Sequence, residues 1–379
     1  MKKTILTLSI AALLIAPGLH AEDLKYPPIN PALLYWQAAA QLPQLTEDQS
    51  NELREMATGK EPFDAARAAK LPLDNGSMRV LRQAADSTAP CDWGLPLEDG
   101  PVMPLPHLAK LQQMSSMAIV KAKSLFAQDK VQEGMSWLVV AHCMARHAGA
   151  GDLLISHLVQ DAIEVNALRA AALHCLGWNT ETRHGYAAML ESLPPLHTAQ
   201  DGLRGERLFV DWVERHFNAG GKSNAEVQAI IASLTAEKGA EKENVEAQFA
   251  PGAMAATLTE WRSLQSRLEA AFGKPWTEGQ AEIKALTDEA IHSPHPLPRL
   301  AFPTTTGVFE KWFTVATLHT MLEAALEHGP QLDEASAGTY RDALEGEPLR
   351  LKKSDNGTLT LVATHPHPAG KEISLQLGK

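Results

Sequence analysis

The 379-residue chain is 45% hydrophobic and 21% charged, with a formal charge of −11. That length can bury a sizeable core and, as a soft prior, suggests about two domains. An acidic chain without a basic stripe repels phosphate backbones, so nucleic acid is not an expected partner.

In chain order, Met1-Lys-Lys3 is a basic start, Ile5 to Ile15 is apolar, Pro17-Gly18 breaks the helix and Ala21 offers a small residue for cleavage. This pattern predicts a signal peptide over residues 1–21 and an exported protein, periplasmic or extracellular. No later stretch reaches the roughly 18 apolar residues of a membrane helix, so no transmembrane segment is expected after cleavage. Asn30-Pro31 predicts a helix start, and Thr46-Glu-Asp-Gln49 is a capping box whose helix ends at Gly59. A short helix is expected over Phe63–Lys70 and another after Asp74-Asn-Gly76. A loop rich in proline and carboxylates follows, Thr88 to Pro106.

Three long antiparallel helices are expected over about 107–128, 130–147 and 152–176, because their connections are short. Pro194-Pro195 marks a soft boundary, giving an N-terminal helical domain over 22–195 and a middle helical region over 196–299. The middle region opens with an amphipathic helix over 198–217 and continues in helices interrupted at Pro251 and Pro275. His292 to Pro298 reads as an extended linker. The last region, 300–379, combines a helix over 308–327 with strands over 349–353, 358–362 and 372–377, the first two joined by a turn at Ser354-Asp-Asn-Gly357. The fold class is therefore mainly α: a multi-helix antiparallel or orthogonal assembly with a small C-terminal β-hairpin or three-stranded sheet.

Several patches, Asn30-Pro-Ala-Leu-Leu-Tyr-Trp36, Cys91-Asp-Trp-Gly94, Glu98-Asp-Gly-Pro101, Leu105-Pro-His-Leu108 and Gly205-Glu-Arg207, resemble a family of uncharacterised exported helical proteins of planctomycete- and verrucomicrobium-type bacteria. The later run Glu327-His-Gly329 with Asp342 to Arg350 resembles that family's C-terminal module, which is similar to the globular end of type II secretion pseudopilins. The resemblance implies an exported protein and a helix followed by a small sheet, and it carries no activity. The tail departs from the module, with Leu361 to Gly370 in place of its tyrosine- and glycine-rich end.

Four constellations could carry chemistry. In the loop, Asp92, Glu98 and Asp99 could gather carboxylates beside Trp93, whose ring would offer a binding face to a sugar or peptide ring. The structural alternative has the aspartates closing turns and Trp93 filling the core. Glu206 lies at the edge of an apolar face, where burial would raise its pKa and suit a general acid; the alternative pairs it with Arg146 or Arg169. His157, Asp161 and Glu164 recur at helical spacing and could hold a divalent metal, or could simply form a solvated face. Cys91 could act as a nucleophile with an unnamed histidine, although three unpaired thiols at Cys91, Cys143 and Cys175 is the plainer reading.

Asp74-Asn-Gly76 and Asp355-Asn-Gly357 are the nearest approach to aspartic-peptidase turns, in a chain too helical for that class. No Walker loop, Rossmann fingerprint or Gly-x-Ser-x-Gly occurs, so no cofactor is expected. The expected function is the binding of a protein or polymer partner in the envelope or outside the cell. The alternative is a secreted hydrolase of peptide or glycan, for example a mucin-like substrate, using Asp92, Glu98, Asp99 and Glu206 as acid and base.

Overall fold

The computed structural model describes residues 28–151, 153–218, 251–295, 298–299, 302, 305–366 and 372–378. The expected signal segment over 1–21 and the helices expected over 223–250 lie outside them.

Helix formation begins where the caps predict it. Asn30 caps α1 (Pro31–Ala40) by accepting the Ala32 amide, with proline at the first helical position. Thr46 and Gln49 form a reciprocal capping box on α2 (Glu47–Thr58), and Gly59 ends it in the left-handed conformation. The next helix, α3, is only Ala65–Ala68, shorter than the expected 63–70. Asp64 holds its start by accepting the Ala66 and Arg67 amides, and Pro72 disfavours a helical Leu71 just beyond its end. α4 (Gly76–Ala85) packs on α1.

The centre is the antiparallel trio α5 (Pro106–Phe126), α6 (Val131–Gly149) and α7 (Leu154–Cys175). α6 buries 14 of its 19 residues and so is enclosed on nearly every side. α8 (Thr180–Glu191) and α9 (Ala199–Asn218) follow, and α9 packs on α7 and on α10 (Pro251–Phe272). α11 (Trp276–Ile291) seats Trp276 flat on Phe309 of α12 (Thr306–His328). The short α13 (Glu334–Ala337) leads into the sheet.

That sheet has three antiparallel strands in the order β1 (Arg350–Lys353), β2 (Leu359–Pro366), β3 (Glu372–Leu377). Ile373, Leu375 and Leu377 alternate inward, and β3 packs on α7 and α12. The β1–β2 turn spans five residues, because only Gly357 takes a positive φ, +85°. Asn356 turns its side chain to accept the Thr358 amide, so the turn is one residue longer than the expected Ser354–Gly357. One hydrophobic core runs from Ala32 on α1 to Leu377 on β3, passing either side of Pro194-Pro195.

Candidate functional site

The Thr88–Pro106 loop is organised by what it buries. Asn30 grips the Asp92 backbone twice, donating to its carbonyl at 2.7 Å and accepting its amide at 3.1 Å. This feeds Trp93 inward, where its indole donates to the His147 carbonyl at 2.7 Å. The Trp93 ring stacks on His107 at 4.5 Å and on Tyr35 at 5.8 Å, with Trp36 edge-on at 6.3 Å. Trp93 is 8% exposed: it fills the core, as the structural alternative has it, and offers no open binding face. Burial pushes the stacked His107 down to about 4.

The loop carboxylates do not converge. Asp92 accepts its own Gly94 amide at 2.8 Å, a turn-closing role, and Asp92, Glu98 and Asp99 are all exposed. The 3-10 segment Leu97–Val102 lies across α9. Gly100 has φ +71°, and a Cβ there would stand 2.6 Å from the Trp212 indole, so only glycine lets the loop approach this closely.

Glu206 and His157 come from different constellations in the sequence, and both lie at the α7–α9 contact. Glu206 accepts the Leu154 amide at 3.3 Å, and His157, one turn further along α7, packs against Gly202, one turn before Glu206. Burial raises the Glu206 carboxyl, while the Leu154 amide pulls it back. Neither Arg146 nor Arg169 makes an ion pair with it among the described residues. Burial, helped by His197, holds His157 down to about 4.

The metal reading of His157, Asp161 and Glu164 fails, and so does the solvated-face reading. All three are buried. Among the described residues no group of three His, Cys, Asp or Glu side chains could hold a metal. The physical reason is that the three are engaged separately. His157 faces Gly202, Asp161 is raised by burial to about 7, and Glu164 is taken up by a cluster of its own.

That cluster is the densest electrostatic feature among the described residues. Glu164 Oε1 lies 2.9 Å from His142 Nδ1 and 2.8 Å from His319 Nε2, and Oε2 lies 2.5 Å from Arg146. His142 Nε2 meets the Tyr186 hydroxyl at 2.9 Å. Burial opposes the Glu164 charge, yet His142, His319 and Arg146 together hold it well below the usual carboxylate range. Burial pulls His142 down and pushes Tyr186 up. A neutral His142 then donates from Nδ1 to Glu164 and accepts the Tyr186 proton at Nε2.

Sequence reasoning named Glu164 and missed His142, Arg146, Tyr186 and His319 as its partners. The available signal was a polar pair, His142 and Arg146, four residues apart in the run Trp137–Arg146, whose other residues are all apolar.

All three cysteines are free thiols. Burial pushes Cys91, Cys143 and Cys175 each up to about 12, which leaves no thiolate for nucleophilic attack.

On the far side of α7 from Glu164, a groove of about 400 Å³ opens between α2, α5 and α7. Leu53 and Ile163 form its buried floor, and Gln112, Gln113 and Asn166 line its walls. Arg54 is the only charged side chain in it, and it contains none of Asp92, Glu98, Asp99 or Glu206. No protein-family model, curated protein or solved structure matches the chain.

Proposed function

We propose that this is an exported, non-catalytic binding protein whose α2–α5–α7 groove holds a partner or polymer segment in the envelope or outside the cell. Export is inferred from the basic, apolar and small-residue pattern of residues 1–21. One observation favours binding over hydrolysis. The groove is walled by amides, hydroxyls and the Arg54 side chain with no carboxylate, while the candidate acids lie elsewhere in unlike settings. Hydrolysis by paired carboxylates needs two of them roughly 5–10 Å apart around one scissile bond. Here Glu206 is anchored on Leu154, and Asp92, Glu98 and Asp99 face solvent.

The test is a panel of peptides and envelope glycans incubated with the protein and with Ala162→Trp, a change at an exposed residue of the groove. Reversible binding, weakened at least tenfold by Ala162→Trp with no turnover of any substrate, is expected. Hydrolysis that disappears in Glu206→Gln or Asp99→Asn would instead establish the enzyme and sink this reading.

A further inference from the structure

We infer that the groove takes an extended peptide segment bearing a carboxylate, which Arg54 receives. This rests on the binding role proposed above and names its ligand class.

The walls supply the first argument. The side-chain amides of Gln112 and Gln113 on α5 and of Asn166 on α7 line the groove, and none of them bonds to another described residue. Each offers a donor and an acceptor together, the complement of a peptide group. Three of the four lining hydroxyls have their protons committed. Ser115 and Ser116 both donate to the Gln112 carbonyl, at 3.0 and 2.9 Å, and Thr58 donates to the Glu55 carbonyl at 3.3 Å. They keep lone pairs that can accept from backbone N–H groups.

The rim and floor supply the second. Ala109 and Ala162 are small and exposed, leaving room for ligand side chains, and Leu53 and Ile163 give an apolar base. No aromatic ring lines the groove, so it lacks the flat face on which a sugar ring would stack. Its volume lies within the usual range for ligand pockets.

Charge points the same way. α2 carries four carboxylates, Glu47, Asp48, Glu52 and Glu55, and Arg54 pairs with none of them. Its guanidinium is steadied by the Asn51 side-chain oxygen at 2.7 Å. The neighbouring Arg67, by contrast, is bound to Glu52 and Glu61. An unpaired guanidinium at a groove wall is a ready bidentate partner for a carboxylate. A chain of net charge −11 repels acidic ligands at long range, but at physiological salt that field is screened beyond about 8 Å.

The experiment measures dissociation constants for three probes: the capped tetrapeptide Ac-Ala-Glu-Ala-Ala-NH2, its Gln counterpart, and chitotetraose. Each is titrated into the protein, Arg54→Gln, Ala162→Trp and Ala109→Trp, with circular dichroism and urea midpoints confirming the fold of each variant. The Glu peptide should bind at least tenfold more tightly than the Gln peptide. Arg54→Gln should erase that preference, and at least one tryptophan variant that keeps the native fold should weaken both peptides tenfold or more. Equal binding of the two peptides, a preference that survives Arg54→Gln, or no binding of the Glu peptide at millimolar concentration overturns the inference. Chitotetraose binding that the tryptophan variants abolish, with no peptide bound, overturns the ligand class and leaves the groove reading standing. Binding indifferent to both tryptophans removes the groove reading as well.

Discussion

Glu164 has a fully buried side chain, and its two oxygens share three cationic or imidazole partners. Such a cluster is held by mutual compensation, since each charge would be costly alone. Replacing Glu164 with Gln strands Arg146, whose remaining anchor is the Pro194 carbonyl, accepting from Nε at 3.0 Å. The expected loss is about 3–5 kcal/mol, read as a lower urea midpoint at unchanged slope. The apolar double change Glu164→Leu with Arg146→Met should recover most of it, because it leaves no charge behind. A double variant as unstable as the single one would mean that the cluster contributes more than charge balance. Arg169 and Arg146 were both reasonable partners for Glu206 by sequence, since spacing along one helix says nothing about which face of a second helix will meet it.

At the scale of elements, the end of α12 is fastened by Arg183 on α8. Arg183 Nε donates to the Leu326 carbonyl at 2.9 Å, and another guanidinium nitrogen donates to the Trp178 carbonyl at 2.6 Å. A buried cation at a helix C-terminus meets the negative end of its dipole and satisfies carbonyls that have no partner within the helix. Gly329 lies directly beneath, with φ +55° and space for a Cβ only 2.3 Å from the guanidinium carbon. Gly329→Ala should therefore displace Arg183 and cost about 1–3 kcal/mol. Hydrogen exchange should quicken at the end of α12 and the start of α8, while α2 keeps its protection; uniform quickening would contradict a local clasp.

Elements of this kind divide into readable and unreadable parts. The caps at Asn30, Thr46 and Asp333 work within three residues of chain, and the strand alternation works over six, so local sequence contains them. The Glu164 cluster joins residues 142, 146, 164, 186 and 319, and the groove joins α2, α5 and α7. Both exist only after the helices are placed. Trp93 was legible as either a core plug or a binding face, and local sequence could not choose between them, because its direction is set by Asn30, some sixty residues earlier.

For the whole molecule, buried histidines set the response to acid. His107, His147 and His157 are each held down to about 4 by burial, and His142 is also lowered. In the unfolded chain a histidine titrates near 6.5, so as pH falls through that value the unfolded state takes up protons that the folded state refuses. Stability should therefore drop between about pH 6.5 and 4, with His147 and His157 each accounting for on the order of 2–3 kcal/mol. Asp161, raised to about 7, works in the opposite direction: it favours the fold at low pH, and that contribution is lost as pH rises toward 7. Urea midpoints at pH 4.5, 5.5, 6.5 and 7.5 should fall toward acid, and His157→Phe should flatten the slope by up to about 1.4 kcal/mol per pH unit. Midpoints that hold or rise toward pH 4.5 would show that the carboxyls dominate. A further consequence follows from where β3 lies. Its end is tied to α7 by the Gly378 amide, which donates to the Ala172 carbonyl at 3.1 Å. Synthesis at roughly 5–20 residues per second makes α7 wait on the order of 10–40 s for the strand that covers it. A growing chain therefore displays an uncovered apolar flank of α7 until β3 emerges, and a holding factor has that long to seize it.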